Sequence, residues 1–291
     1  MAAQIPPDIA SALRRIGAVI DPAATAALYA PLHRAKPDAG VKLTRDRRYG
    51  ADPRHRLDTF APGAAGAIRP VLVFVHGGGF TGGERRSGDS PFYDNILRWA
   101  VANGMVGVNM TYRLAPAHGW PAAQQDIGAA LAWVRQNIGA EGGDPSRIFL
   151  MGHSAGATHV AQYLAHPQFH TSPAGGIAGA VLLSGLIDTA SAEQNSSFHA
   201  YFGADPQLQA ERSALPGLLH SPVPLLLAYA ELDPPEFHQQ SERVHATLRA
   251  AGIDPPLLKL AGHSHMSEVY AINTADAALT GALSAFVASL R

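Results

Sequence analysis

Ser154 stands in Gly152-His-Ser-Ala-Gly156, directly after the apolar run Arg147-Ile-Phe-Leu-Met151. A G-x-S-x-G pentapeptide between a strand and a helix makes a sharp, strained turn that lifts the serine hydroxyl out at the top of a sheet. Small residues suit the turn because it presses its neighbours against the backbone, where a Cβ would collide. A serine hydroxyl is a poor nucleophile at neutral pH, so it needs an imidazole within hydrogen-bond reach and an acid that orients that imidazole. Both residue types follow. Asp233 ends the apolar run Val223-Pro-Leu-Leu-Leu-Ala-Tyr-Ala-Glu-Leu-Asp233, and His263 and His265 lie in Lys259-Leu-Ala-Gly-His-Ser-His-Met-Ser267. Upstream, His76-Gly-Gly-Gly-Phe80 closes a third apolar run, Val71-Leu-Val-Phe-Val75. Its glycines let main-chain N–H groups approach a developing oxyanion. The chemistry these residues spell out is acyl transfer through a serine.

Within that scheme Asp233 is the expected acid, with Glu231 and Asp188 as rivals, and its role is to hold the imidazole tautomer and stabilise the imidazolium. Spacings of 79 residues from Ser154 to Asp233 and 32 from Asp233 to His265 leave room for one strand–helix unit or more between members. Gly78 and Gly79 are the expected oxyanion-hole donors, with the Ala155 N–H at a helix start as a third. His263-Ser-His265 also has the spacing of a zinc-binding pair, but no third ligand accompanies it. The glycine triplet is not a nucleotide loop, because neither G-x-x-x-x-G-K-[ST] nor G-x-G-x-x-G follows a strand here.

The elements that must position these residues read as a parallel sheet. Short apolar runs at 71–75, 104–110, 147–151, 177–183, 223–230 and 257–260 alternate with helical segments at about 91–102, 121–138, 155–165, 236–251 and 274–290. Continuous apolar runs of this length belong to strands covered on both faces. His55-Arg-Leu-Asp-Thr-Phe60 alternates like one strand of an antiparallel edge hairpin. Asp89-Ser90-Pro91 and Thr274 look like helix starts. Residues 1–45 are expected to carry two short N-terminal helices over the active-site face, with the catalytic domain at 46–291. The stretch 186–221, without strand character, is the expected cap insertion.

Composition excludes several classes. The chain has 291 residues, 47% apolar and 15% charged, enough for a substantial core. A net charge of −1 and a pI near 6.9 provide no field to recruit nucleic acid. The absence of cysteine removes disulfides, thiolate catalysis and cysteine-based zinc sites. No apolar run reaches the ~20 residues of a membrane span, so no membrane insertion is expected. The N-terminus lacks the pattern of a signal peptide, which points to a cytoplasmic protein. Of fourteen histidines, at least ten are expected on the surface or in loops. Asn195-Ser-Ser197 matches a glycosylation sequon, which carries no weight without a secretory signal. Whether the chain is a monomer or a homodimer stays open.

His76-Gly-Gly-Gly-Phe80, Tyr112-Arg-Leu-Ala-Pro116 leading to Trp120-Pro-Ala-Ala123 and Asp126, Gly152-His-Ser-Ala-Gly156, and the surroundings of Asp233 and His265 form one set. Together they resemble the hormone-sensitive-lipase-like branch of the α/β-hydrolases, and its feruloyl-esterase-like and kynurenine-formamidase-like neighbours, over about residues 70 to 290. The resemblance implies an α/β fold with a mostly parallel eight-stranded sheet, helices on both faces and a small helical cap. In many such hydrolases a glycine precedes the base by three and an apolar residue follows it; Gly262 and Met266 therefore favour His265 over His263. Tyr112, Arg113 and Asp126 are implied to be structural, holding the loop beside the oxyanion turn.

Two departures stand out. His153 precedes the serine where the lipase-like pattern often has Asp, and Ala117 replaces the usual Glu after Tyr-Arg-Leu-Ala-Pro, so Arg113 must find another partner or face solvent. The implied activity is a carboxylesterase acting without a cofactor or metal on small or medium, short-acyl esters. An arylformamidase with the same triad is the nearest alternative, and a non-catalytic ligand-binding member of the fold is a more distant one.

Overall fold

The computed structural model describes residues 5–34, 40–64 and 66–290. Eight strands form one sheet: β1 Val41–Arg48, β2 Arg56–Pro62, β3 Arg69–Val75, β4 Val106–Met110, β5 Gly143–His153, β6 Gly179–Leu183, β7 Leu225–Leu232 and β8 Leu257–Ser264. Their spatial order is β1-β2-β4-β3-β5-β6-β7-β8. Pairings β1–β2 and β2–β4 are antiparallel, and every other pairing is parallel. The expected edge hairpin is therefore present, and its first strand begins at Val41, so the boundary drawn at 45/46 falls inside β1.

The helices are α1 Pro7–Ile16, α2 Pro22–Arg34, α3 Asp94–Ala102, α4 Ala122–Asn137, α5 Ala155–Ala165, α6 Ser196–Phe202, α7 Pro206–Glu211, α8 Leu215–Leu218, α9 Pro235–Ala250, α10 Ser267–Tyr270 and α11 Thr280–Ser289. Strand residues alternate between two apolar layers. Val71, Val73 and Val75 of β3, with Ile148 and Leu150 of β5, face a layer that includes Leu131 of α4, Val160 of α5 and Val244 of α9. Leu72, Phe74, Phe149 and Met151 face the opposite layer with Leu13 of α1, Trp99 of α3 and Phe286 of α11. Burying each such side chain is worth about 1.5–3 kcal/mol against leaving it in water. A strand covered on both faces has no polar side to show, which is why β3 and β5 read as unbroken apolar runs.

Two helix starts differ from the sequence expectation. Residues 89–93 form a turn in which Ser90 Oγ accepts the Phe92 N–H at 3.3 Å, and α3 begins only at Asp94. Thr274 likewise serves a turn: its hydroxyl donates to the Ala271 carbonyl and accepts from the Asp276 N–H, while α11 starts at Thr280. Ser and Thr hydroxyls satisfy turns as well as helix ends, so local chemistry alone does not distinguish the two. The 186–221 stretch folds as α6, α7 and α8 between β6 and β7. Asn195 of the apparent sequon is the N-cap of α6, its side chain accepting from the Phe198 N–H.

Candidate active site

The turn after β5 holds Ser154 at φ 55°, ψ −124°, a backbone conformation that costs a non-glycine residue about 1–3 kcal/mol and that the surrounding glycines make possible. A Cβ on Gly152 would strike the carbonyl of Gly156, and one on Gly156 would strike the carbonyls of Val75 and His76. The turn, β3 and the start of α5 are thus packed backbone against backbone.

Asp233 and His265 meet at the ends of β7 and β8. His265 Nδ1 lies 2.7 Å from Asp233 Oδ1, and both side chains are buried. Asp233 Oδ2 accepts from the Ser184 hydroxyl and from the Ala230 N–H, each at 2.7 Å. The carboxylate is thereby satisfied on both oxygens and locked in one rotamer. The Phe237 ring packs on the imidazole with centroids 4.5 Å apart. The Nε2 atom of His265 is buried with no hydrogen-bond partner in the protein. Ser154 and His265 line the same cavity, of about 960 Å³, together with Gly77, Gly78 and Gly79.

The other candidates go elsewhere. His263 Nδ1 contacts the Ser267 hydroxyl at 3.1 Å, its Nε2 lies 3.2 Å from Asp276, and it does not line the cavity. Burial pushes the Asp276 carboxyl up, but the His263 contact and the Ala278 N–H outweigh it and hold the group below its ordinary value. Glu231 accepts the Gly262 N–H, and Asp188 accepts from the hydroxyls of Ser191 and Ser213.

The glycine loop after β3 carries the unusual backbone that glycine permits: φ is 134° at Gly78 and 58° at Gly79. A Cβ at Gly78 would collide with the Gly82 carbonyl. Tyr112 Oη donates to the His76 carbonyl at 2.8 Å. Arg113 does find a partner: its guanidinium reaches Asp126 at 2.7 Å and the Gln125 side-chain oxygen at 3.1 Å. His55 adds a 3.0 Å contact to the same Asp126. On the other side of the loop, Arg85 reaches Asp58 of β2 at 3.1 Å, tying the loop to the edge hairpin.

Six of the fourteen histidines are buried: His33, His76, His153, His159, His263 and His265. The other eight are not buried, and His76 and His265 lie in loops, so ten of the fourteen are on the surface or in loops, as expected. Burial pushes His76 and His159 down to about 3 and His153 down to about 4, so all three are neutral rings at pH 7. His159 packs edge-on against Phe80, Tyr112 and Tyr201, which explains why imidazoles serve here as aromatic plates under the glycine loop.

Glu268 escaped sequence analysis entirely. It is 1% exposed, and its Oε1 lies 3.1 Å from His153 Nε2. Burial and the neighbouring Asp233 push its carboxyl well above the usual range. No short motif marks it, since its position is meaningful only through residues more than thirty and a hundred positions away. Among the described residues, His153, His265 and Glu268 offer three potential metal-ligating atoms within 4.8 Å of one another. Hydrogen bonds engage the two histidines, Asp233 at Nδ1 of His265 and the His265 carbonyl at Nε2 of His153, while both Glu268 oxygens are buried without a hydrogen-bond partner.

Comparison with known proteins agrees with this architecture. Among relatives, the para-nitrobenzyl esterase of Bacillus subtilis is 34% identical over 157 residues, covering 50% of this chain and 30% of that protein. The esterase LipQ of Mycobacterium tuberculosis is 30% identical over 233 residues, covering 72% of this chain and 53% of LipQ. Such matches span at most about half the length of these relatives. Among solved structures, a bacterial heroin esterase superposes with a TM-score of 0.74 at 24% identity, covering 99% of this chain and 98% of that one. An esterase from Pyrobaculum calidifontis gives 0.70 at 21%, covering 99% and 98%. The sequence profile of the alpha/beta hydrolase fold family matches residues 72–268. With that match over more than half its length, and a sheet whose strand ends bring Ser154, Asp233 and His265 to one end, the chain belongs to the α/β-hydrolase family.

Proposed function

We propose that this protein is a serine carboxylesterase in which Ser154 is the nucleophile, His265 the base and Asp233 the orienting acid. The observation that carries the reading is the buried 2.7 Å contact between His265 Nδ1 and Asp233, which leaves Nε2 unpartnered in the cavity that Ser154 lines. A carboxylate accepts only, so Nδ1 carries its hydrogen and Nε2 keeps the lone pair a base needs. Ser154 Oγ attacks the ester carbonyl carbon while its proton passes to Nε2. The N–H groups of Gly78, Gly79 and Ala155 receive the oxyanion. The imidazolium then gives its proton to the departing alkoxide as the carbon–oxygen bond breaks, releasing the alcohol. Water repeats the sequence on the acyl-enzyme, with His265 again taking and returning the proton.

Ile20 of the α1–α2 connection, Pro22 at the start of α2, and Leu186, Glu193 and Asn195 of the 186–221 segment line the cavity on the side we assign to the cap. A cavity of about 960 Å³ suits small or medium esters. Among the described residues its charged lining is Glu84, Glu193 and Glu236, with no Lys or Arg. Uncharged or cationic esters are the substrates such a wall accepts. The esterase names of the relatives favour an ester over a formamide as the bond cleaved. The test is hydrolysis of p-nitrophenyl acetate and N-formylkynurenine by the native protein and by Ser154→Ala, with labelling by an organophosphonate. Stoichiometric labelling of Ser154 and ester turnover lost in the variant are expected. A formamide preferred by orders of magnitude in kcat/KM, or an unlabelled Ser154, overturns the assignment.

A further inference from the structure

Behind the Asp233–His265 contact lies a buried carboxyl group that the hydrolytic scheme does not use. Glu268 stands in α10, three residues after His265, and its Oε1 lies 3.1 Å from Nε2 of His153, the residue immediately before Ser154. The same Nε2 lies 2.8 Å from the carbonyl oxygen of His265, and the two imidazole rings are 4.7 Å apart between centroids. A carbonyl oxygen only accepts, so His153 is the Nε2–H tautomer and gives its one polar hydrogen to the His265 carbonyl, with the Glu268 carboxyl packed against the same Nε2 and holding no hydrogen-bond partner of its own. The strand end that carries the nucleophile turn therefore grips the main chain of the residue that carries the base.

We propose that His153 and Glu268 are positioning residues for His265: together they clamp the loop bearing the imidazole onto the Ser154 turn from behind the Asp233 contact. The proposal rests on the triad reading above and goes beyond it by naming what holds the base in register with the hydroxyl.

Burial supports it. Two carboxyl groups sharing a dry space cannot both ionise cheaply, and the donors, from Ser184 and Ala230, go to Asp233 while both Glu268 oxygens have none. Glu268, pushed well up by burial and by Asp233, is the neutral member. His153 is held down to about 4 by burial, so its 3.1 Å contact with Glu268 is one between neutral groups and not an ion pair. The ionisable groups acting on Glu268 are Asp233, His265 and His263, with the Ser184 hydroxyl beside them. An apolar pair of the same volume would fill this space without the desolvation penalty of each polar group. What the polar pair adds is direction: a hydrogen bond fixes where the His265 carbonyl sits, and a misplacement of about 1 Å at a reacting group can cost about 100-fold in rate.

The experiment measures kcat and KM for p-nitrophenyl acetate as a function of pH, with thermal melting, for the native chain, His153→Phe, Glu268→Leu, Glu268→Gln and Glu268→Asp. His153→Phe keeps the ring and removes the donor. Glu268→Leu removes the polar contact, and Glu268→Gln restores a neutral hydrogen-bonding group of the same shape. Expected are cooperative melting in every variant, kcat lowered about 10–100-fold in His153→Phe and Glu268→Leu with KM within about threefold, and recovery in Glu268→Gln to within about threefold with an unshifted acid limb. Native kcat in both His153→Phe and Glu268→Leu overturns the proposal. So does a Glu268→Gln variant as impaired as Glu268→Leu with its acid limb displaced, which would mean an ionised carboxylate acting through charge. Should Glu268→Leu not fold, Glu268→Asp decides: a folded protein with lowered kcat supports the clamp, and native kcat removes it. His265→Ala separates the two levels, because full activity in that variant sinks the triad reading itself.

Discussion

The phenol of Tyr112 donates to the main-chain carbonyl of His76 at 2.8 Å while its ring stacks on the His76 imidazole, 4.5 Å between centroids. The residue that opens the glycine loop is thus held at its carbonyl and on its ring by one side chain from the segment after β4. His76 Nδ1 in turn sits 2.7 Å from the Gly77 carbonyl, which makes Nδ1 the donor and leaves the loop little freedom at its first peptide. Tyr112 thus holds the glycine loop through its backbone.

That backbone can be tested at Gly78. The added methyl of Gly78→Ala meets the Gly82 carbonyl at a φ of 134°, so the loop must shift. Displacing one oxyanion donor lowers kcat about 100–1000-fold. The expected result is that loss with little change in KM and a retained melting transition; activity within a few-fold of native removes Gly78 from the hole.

Asp233→Asn keeps the shape and replaces the accepting Oδ1 by an amide in one flip state, which favours the wrong imidazole tautomer. The expected effect is a fall in kcat of about 10⁴-fold, with phosphonate labelling of Ser154 slowed in parallel. Stopped-flow measurement of the labelling rate checks it, and a change below tenfold would return Asp188 or Glu231 to consideration.

Three buried neutral histidines set the acid stability. His76, His153 and His159 have native values near 3, 4 and 3, below the ordinary 6.5. Between about pH 6.5 and 4 the unfolded chain binds a proton at each that the native protein refuses. Stability from these groups is therefore full above about 6.5 and falls with pH, at up to about 1.4 kcal/mol per unit for each histidine. Glu268 acts in the opposite sense, its raised value making the native state favour low pH and weaken as pH rises through that value. Asp58 and Asp276 are held below 3.8, so the stability they contribute is full above about 3.8 and is lost only at more acid pH. Both ring nitrogens of His159 lack partners, so His159→Phe is expected to remove about a third of the slope at no cost in melting temperature at pH 7. Urea midpoints at pH 7, 6 and 5 measure it.

Charge should sort substrates. With Glu84, Glu193 and Glu236 on the cavity wall and no Lys or Arg among its described lining, a negative acyl group meets repulsion that a neutral one of equal length does not. Matched aryl butyrate and hemisuccinate esters should differ by about tenfold or more in kcat/KM, narrowing with added salt. Equal rates at low ionic strength contradict the assignment of neutral or cationic substrates.

What the amino-acid order determined is the part whose physics is local. Gly152 to Gly156 after an apolar run specifies a strained turn, His76 to Gly79 specifies a glycine loop, and apolar runs alternating with helical spacing specify a buried parallel sheet, because each signal is complete within a dozen residues. The order of Ser154, Asp233 and His265 along the chain was legible for the same reason: each ends a strand. The tertiary structure alone decided the rest. It gave His265, which the resemblance already favoured, the Asp233 contact and His263 the Asp276 contact, made across 32 and 13 residues of chain. It turned Ser90 and Thr274 into turn residues and six histidines into buried groups, since exposure belongs to neighbours brought from other segments. Above all it brought Glu268 against His153, 115 positions away, where desolvation makes an ordinary surface residue type into a neutral acid. Burial and pairing are properties of the assembled space around a side chain, and no spacing within the chain encodes them.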